Sequence, residues 1–166
     1  MLHPTIALHS VCEITPELLE SMGIRGLMLD IDNTLTTHDN PRPAKGVQAW
    51  IAQMKASGIQ LRLVSNNHPP RVKPFADMLG IPAICDANKP LRGGFERAMR
   101  SMHLTPHEVA AVGDQLYTDI LGANVCGVRS IYVAPMAKES WEKQTFICVK
   151  RILEKPFLPK SYYKEK

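Results

Sequence analysis

The sequence predicts an α/β fold, a three-layer sandwich with helices on both faces of a parallel sheet of about five strands. Short apolar runs alternate with stretches of helical periodicity. The helical stretches are roughly ten to fifteen residues long, which is what a crossover between parallel strands needs. Each run also gives way to polar residues at its carboxyl end, where such sheets bind their ligands.

Thr15, Pro16 and Glu17 mark a helix start and Gly23 its stop, so residues 1–23 form an N-terminal segment with one short helix. Gly26 to Ile31 is a dense apolar run, too short for a helix, and reads as a strand buried on both faces. After Pro41 and Pro43, the residues Val47, Trp50, Ile51 and Met54 fall on one face of a helix that Gly58 ends. Ile59 to Val64 is the second strand. A helix about Arg71 to Leu79 turns Val72, Phe75, Met78 and Leu79 inward and ends at Gly80, and Pro74 within its first turns blurs its start. Pro82 to Cys85 is the third strand. The next helix, about Gly93 to Met102, buries Phe95, Ala98, Met99 and Met102. A turn at Thr105, Pro106 and Glu108 precedes the strand Val109 to Val112, and a short helix begins near Thr118. Val128 to Val133 is the last strand. A final helix is expected from Lys138 to Leu153, with Trp141, Thr145, Cys148, Val149 and Ile152 on one face. Trp50 and Trp141 read as core. No repeat or linker interrupts the pattern, so residues 1–166 are expected to form one Rossmann-like domain with a basic tail over 154–166.

Composition agrees with a globular chain: 45% hydrophobic and 22% charged residues exclude disordered, collagen-like and coiled-coil classes. No apolar run approaches the roughly 18 residues that span a bilayer. The start, MLHPTIALHS, lacks the basic and apolar stretches of a secretory signal. The four cysteines, Cys12, Cys85, Cys126 and Cys148, form no CxxC pair and read as buried thiols in a reducing compartment, so a cytoplasmic location is expected. The net charge of +4 is unevenly placed. From Lys138 onward there are eight basic and four acidic residues, and the preceding residues hold twelve of each. Such a stretch either solubilises the chain or meets an anionic surface such as lipid headgroups at the inner face of a membrane. Nucleic acid is not an expected partner.

The chemistry lies at the strand ends. The first strand runs into Asp30, Ile31, Asp32, Asn33 and Thr34, and the second into Ser65, Asn66 and Asn67. Asn88, Lys89 and Pro90 follow the third, and Gly113 and Asp114, with Asp119 further on, follow the fourth. Carboxylates converging on one rim repel unless a cation sits among them, and hard oxygen donors of this kind suit Mg²⁺. A lysine and a serine beside them supply donors for a phosphoryl group. An aspartate so placed can act as a nucleophile. A second carboxylate two residues on shares its face and can protonate a leaving oxygen and then activate water.

These residues resemble the four motifs of the haloacid dehalogenase superfamily of phosphatases: DIDNTL over 30–35, Ser65 in LVSNN, Lys89 in NKP, and Gly113 to Asp119 as GDxxxxD. They stand in order, 35, 24 and 25 residues apart from Asp30 to Ser65, Lys89 and Asp114. Over roughly residues 10–153 the chain is more closely similar to the capless YqeG-type subgroup (class IIIA), relatives of the mitochondrial phosphatidylglycerophosphate phosphatase. The resemblance implies Asp30 as nucleophile and Mg²⁺ ligand, and Asp32 as acid and base that also ligates through its backbone carbonyl. It implies Asp114 as a direct ligand, Asp119 in the metal's outer shell, and Ser65 and Lys89 on the phosphoryl oxygens, helped by the backbone amides of Asn33 and Asn66. Arg71, on the first turn of a helix, reads as solvated. His38 reads as an ordinary loop residue near the rim, and the six histidines show no metal spacing.

The expected function is therefore Mg²⁺-dependent phosphomonoester hydrolysis through an aspartyl-phosphate. The gaps between motifs leave no room for a cap domain, and an open site suits a bulky substrate such as phosphatidylglycerophosphate. Alternatives are a soluble phosphorylated metabolite or phosphoprotein, with a neighbouring subunit of an oligomer as the lid, or a non-catalytic phosphate-accepting module.

Overall fold

The computed structural model describes residues 1–38, 40–136 and 155–159. The expected helix Lys138 to Leu153, with Trp141 and Cys148, lies outside the described residues, as does most of the tail.

Six parallel strands form one sheet: β1 (Ile6–Leu8), β2 (Gly26–Leu29), β3 (Gln60–Val64), β4 (Ala83–Ile84), β5 (Val109–Gly113) and β6 (Arg129–Val133), in the spatial order β1-β6-β5-β2-β3-β4. The sheet agrees with the expected α/β sandwich and adds one edge strand, β1. That strand has three half-buried residues, too few to show a period, and it is held by pairing Ile6 with Ile131 and Leu8 with Val133.

The chain moves outward from β2 through β3 to β4, returns to the other flank of β2 as β5, and continues to β6. The order thus reverses at the β2–β5 boundary, where the carboxyl ends of two adjacent strands splay a crevice open. In β2 the side chains alternate. Leu27 and Leu29 join a core with Val47, Trp50, Ile51, Met54, Val72 and Phe75 on one face. Met28 joins Phe95, Ala98, Met99, Met102 and Ala123 on the other. The first face is covered by α1 (Pro16–Ser21), α2 (Val47–Ala56) and α3 (Pro69–Leu79), the second by α4 (Arg92–Met102) and α5 (Leu121–Val125).

Local chemistry sets the helix ends. The Thr15 side chain accepts from the Leu18 amide at the start of α1, with Pro16 in the first position. Helix α3 begins two residues earlier than expected, because Pro69 and Pro70 supply first-turn positions that have no amide to satisfy. Between β5 and α5, residues Leu116–Ile120 form one π-helical turn. Phe157 and Leu158 pack with Leu2 and Ala7 against Leu116, Ile120 and Tyr132, so the described piece of the tail supports that turn.

Three burial expectations are corrected. Met78 is 48% exposed. It follows Asp77 on the outer side of α3, while Ala76 takes the inner position. Among the described residues, only Cys126 of the expected buried thiols is buried; Cys12, in the short 3-10 turn Val11–Glu13, is exposed, and Cys85, just past β4, is half-buried.

Trp50 is 3% exposed and its indole N–H donates to the Ile14 carbonyl at 2.8 Å, tying α2 to the segment before α1. Trp50→Phe leaves that buried acceptor unpaired and should lower unfolding free energy by about 2 kcal/mol. Urea titration checks this, with the midpoint falling and the slope unchanged.

Candidate active site

Every strand on the crevice side delivers a polar residue to it. Asp30 lies one step past β2, where its amide still donates to the Val112 carbonyl at 2.9 Å, so the ladder fixes its backbone. Asp114 follows β5 and is 1% exposed. Asp119 enters from the π-helical turn. Its Oδ2 accepts from the Gln115 amide at 3.2 Å, and Gly113 makes the approach possible, since a Cβ there would stand 2.3 Å from Asp119 Cγ. One carboxylate oxygen from each of Asp30, Asp114 and Asp119 lies within 4.8 Å of the others.

Lys89 holds this cluster together. Its Nζ donates to Asp30 Oδ1 and to Asp119 Oδ1, both at 2.6 Å, and its side chain is 4% exposed. The Asn66 side chain anchors the lysine backbone from both sides: Asn66 Oδ1 accepts from the Lys89 amide at 2.6 Å, and Asn66 Nδ2 donates to the Lys89 carbonyl at 3.1 Å. Gly122 lets α5 close on the loop, because a Cβ there would meet the Phe95 ring at 2.4 Å and Pro90 Cα at 3.1 Å.

The electrostatics follow from burial. Loss of water pushes the Asp30 carboxyl up to about 7; the Lys89 ammonium pulls it down and Asp119 pushes it up again. Burial also works against the charge on Lys89, yet Asp119 and then Asp30 hold that ammonium well above its ordinary range. Three carboxylates facing one ammonium leave an excess of negative charge when all are ionised. An all-oxygen donor set with that excess fits a hard divalent cation such as Mg²⁺.

Asp32 lies apart from this cluster. Its Oδ2 accepts from Asn67 Nδ2 at 2.7 Å and its Oδ1 from Arg71 Nη2 at 2.9 Å. Arg71 is therefore not the solvated surface residue expected. Its side chain is 23% exposed, and the same Nη2 donates to the Asn40 carbonyl at 3.1 Å. Its guanidinium lies 5.7 Å from the centre of the Phe75 ring. The available signal was its place: α3 starts just beyond the Ser65–Asn67 strand end, so its first turn faces the rim. Ser65 is 2% exposed and its Oγ accepts from the Asn67 amide at 3.1 Å. Asn33 takes a left-handed φ of 60° in the tight turn after Asp32, and His38 is exposed. The structure thus brings Asp30, Lys89, Asp114 and Asp119 into one cluster, with Ser65 and Asn66 beside it, and puts Asp32 in a second cluster with Asn67 and Arg71.

A family model for haloacid dehalogenase-like hydrolases matches residues 27–127. The chain is 42% identical to the probable phosphatase YqeG of Bacillus subtilis, over 77% of this chain and 74% of that protein. It is 31% identical to the mitochondrial phosphatidylglycerophosphatase GEP4 of Saccharomyces cerevisiae, over 71% of each chain. Among solved structures, it is similar to the cobalt-bound deoxy-D-mannose-octulosonate 8-phosphate phosphatase YrbI of Haemophilus influenzae. The TM-score is 0.56 at 15% identity, with 82% of this chain and 90% of that chain covered. The chain belongs to the haloacid dehalogenase-like hydrolases and is a phosphatase of that family.

Because folding raises the Asp30 carboxyl from 3.8 to about 7, the native protein holds a proton that the unfolded chain has lost. This contribution to stability is complete below about pH 4 and disappears as pH rises through about 7. In EDTA, wild type should lose stability relative to Asp30→Asn between pH 5.5 and 8 (roughly the upper part of that window). Unfolding titrations of the two proteins at both pH values check this; parallel behaviour would refute the raised carboxyl.

Proposed function

We propose that this member of the haloacid dehalogenase-like hydrolases cleaves phosphomonoesters through an aspartyl-phosphate on Asp30. The observation that carries the reading is the buried cluster in which Lys89 bridges Asp30 and Asp119 beside Asp114. Asp30, Asp114 and the Asp32 carbonyl would hold Mg²⁺, with Asp119 in its outer shell. When bound, the ion supplies positive charge against the carboxylates and the phosphoryl oxygens.

The chain's own groups account for the rest. Asp30 attacks phosphorus with a carboxylate oxygen, and the bond from phosphorus to the ester oxygen breaks. Asp32 gives that oxygen a proton, so the leaving group departs as an alcohol. Asp32 then takes a proton from a water whose oxygen attacks the same phosphorus. The bond to Asp30 breaks, inorganic phosphate leaves, and Asp32 is again protonated. Lys89 uses two of its three N–H donors on Asp30 and Asp119 and keeps one for a phosphoryl oxygen. Ser65 accepts a hydrogen bond and keeps its own proton to donate. Asn66 serves by holding the Lys89 backbone.

Phosphatidylglycerophosphate, presented at a membrane surface, is the proposed substrate. Between β2 and β3 the chain has one helix, α2, and between β3 and β5 it has α3, β4 and α4, so no inserted domain covers the crevice. A phosphate standing out of a bilayer can reach such a rim without a lid closing over it. The similarity to the yeast phosphatidylglycerophosphatase supports the same headgroup. The excess of basic residues from Lys138 onward would favour an anionic surface by about 1 kcal/mol per residue near it. No helix among the described residues is long and apolar enough to cross a membrane, and peripheral contact from the cytoplasmic face is part of this proposal.

Asp30→Asn should cut turnover of p-nitrophenyl phosphate more than about a hundredfold, while Asp32→Asn should cost about 10²- to 10⁴-fold. With this good leaving group, mass spectrometry of quenched Asp32→Asn protein should show phosphate on Asp30, since the slowed step is hydrolysis. Absence of the adduct would count against the assignment of Asp32.

The substrate is tested by comparing kcat/KM on phosphatidylglycerophosphate in anionic vesicles with soluble sugar phosphates, nucleotides and phosphoproteins. The lipid should win; a soluble compound better by about tenfold, 1.4 kcal/mol, would remove the lipid assignment and leave the phosphatase.

A further inference from the structure

We infer that Arg71 binds an anionic group carried on the leaving side of the substrate, and so selects phosphomonoesters whose departing alcohol is itself charged. This deepens the proposed reaction and rests on Asp32 facing the ester oxygen. Asp30 must attack opposite the departing oxygen, so the leaving group lies on the Asp32 side of phosphorus. The Arg71 guanidinium is one hydrogen bond beyond, at 2.9 Å from Asp32 Oδ1.

The way Arg71 is held leaves it able to take a second anion. A guanidinium paired fork-to-fork with a carboxylate has two parallel N–H bonds to it. Here a single nitrogen, Nη2, makes both bonds, one to Asp32 and one to the Asn40 carbonyl. Among the described residues, Nε is buried with no hydrogen-bond partner. The Phe75 ring and the two Nη2 bonds fix the plane of the group. Its side chain is 23% exposed, so a ligand at the rim can reach the guanidinium. A planar cation fixed in this way recognises carboxylates and phosphodiesters rather than neutral alcohols. A glycerol that carries an ester phosphate at one end and a phosphodiester at the other presents that anion three carbons from the bond being cleaved.

The test uses soluble substrates, so that membrane binding does not enter. Glycerol 3-phosphate releases a neutral alcohol, 3-phosphoglycerate releases one bearing a carboxylate, and the deacylated headgroup of phosphatidylglycerophosphate releases one bearing a phosphodiester. Wild type should favour at least one of the charged pair over glycerol 3-phosphate by about tenfold in kcat/KM, mostly through KM. Arg71→Gln should reduce that preference to about threefold or less, and Arg71→Lys should restore part of it. Residual turnover of p-nitrophenyl phosphate shows that each variant is folded. If Arg71 only positions Asp32, kcat falls equally on all substrates and the preference survives, which overturns the inference. A wild type without any preference overturns it as well, whatever the variants do. A preference for 3-phosphoglycerate over the headgroup keeps the assignment of Arg71 and removes the lipid substrate. No turnover on any substrate would sink the phosphatase reading and this inference together.

Discussion

The site is organised by the need to keep several carboxylates out of water and close to one another. Asp30, Asp114 and Asp119 stand within 4.8 Å at the floor of the crevice, and Asp114 and Asp119 are 1% and 3% exposed. Ionised groups so placed repel one another and have lost most of their hydration. Lys89 answers both costs at once, because its ammonium bridges two of the three at 2.6 Å. Taking that lysine away would leave a buried excess of negative charge, which is far more damaging than losing an exposed ion pair.

Much of the surrounding structure can be understood as holding that lysine and its partners to fractions of an ångström. The sheet order brings the ends of β2 and β5 side by side, so Asp30 and Asp114 need no long loops to meet. The Lys89 loop cannot use the sheet, since β4 is only two residues long. Asn66 takes over that part with its side-chain amide, which meets the Lys89 amide and carbonyl as a neighbouring strand would. Gly113 and Gly122 act by what they omit, leaving room for Asp119 and for the packing of α5 on Phe95 and Pro90.

Legibility in the sequence follows the range of the interaction that makes each feature. Strands β2 and β5 were readable because burial on both faces demands unbroken apolar runs, β3 because its apolar residues alternate with Gln60 and Arg62, and the site aspartates because they sit at fixed offsets past strand ends. Strand β1 was not readable: three half-buried residues carry no period, and their partner β6 is more than a hundred residues away. Met78 sat at an inward spacing, but α3 begins at Pro69 and its rotation on the sheet favours Ala76 instead. Arg71 was visible as a residue and misjudged as solvated. Whether an arginine on a first turn points to water or to a carboxylate depends on where the turn lies relative to the strand end, and that is a tertiary fact.

The separation of the two acidic groups has a further consequence for the chemistry. In the proposed reaction one carboxylate attacks phosphorus and another trades protons with an ester oxygen; these are opposite requirements, and the fold gives Asp30 and Asp32 different hydrogen-bond partners. Asp30 is desolvated beside a bridging ammonium and is raised to about 7, so without a cation it spends much of its time protonated near neutral pH. Asp32, two residues on, meets the Asn67 amide and the Arg71 guanidinium. Because Asn67 precedes α3 and Arg71 stands in the first turn of α3 while Lys89 arises beyond β4, the two environments are built by different segments. Under the proposed reaction, changes beside Asp32 can then accumulate in one segment without moving Asp30, which would fit a single phosphate-cleaving core to different alcohols.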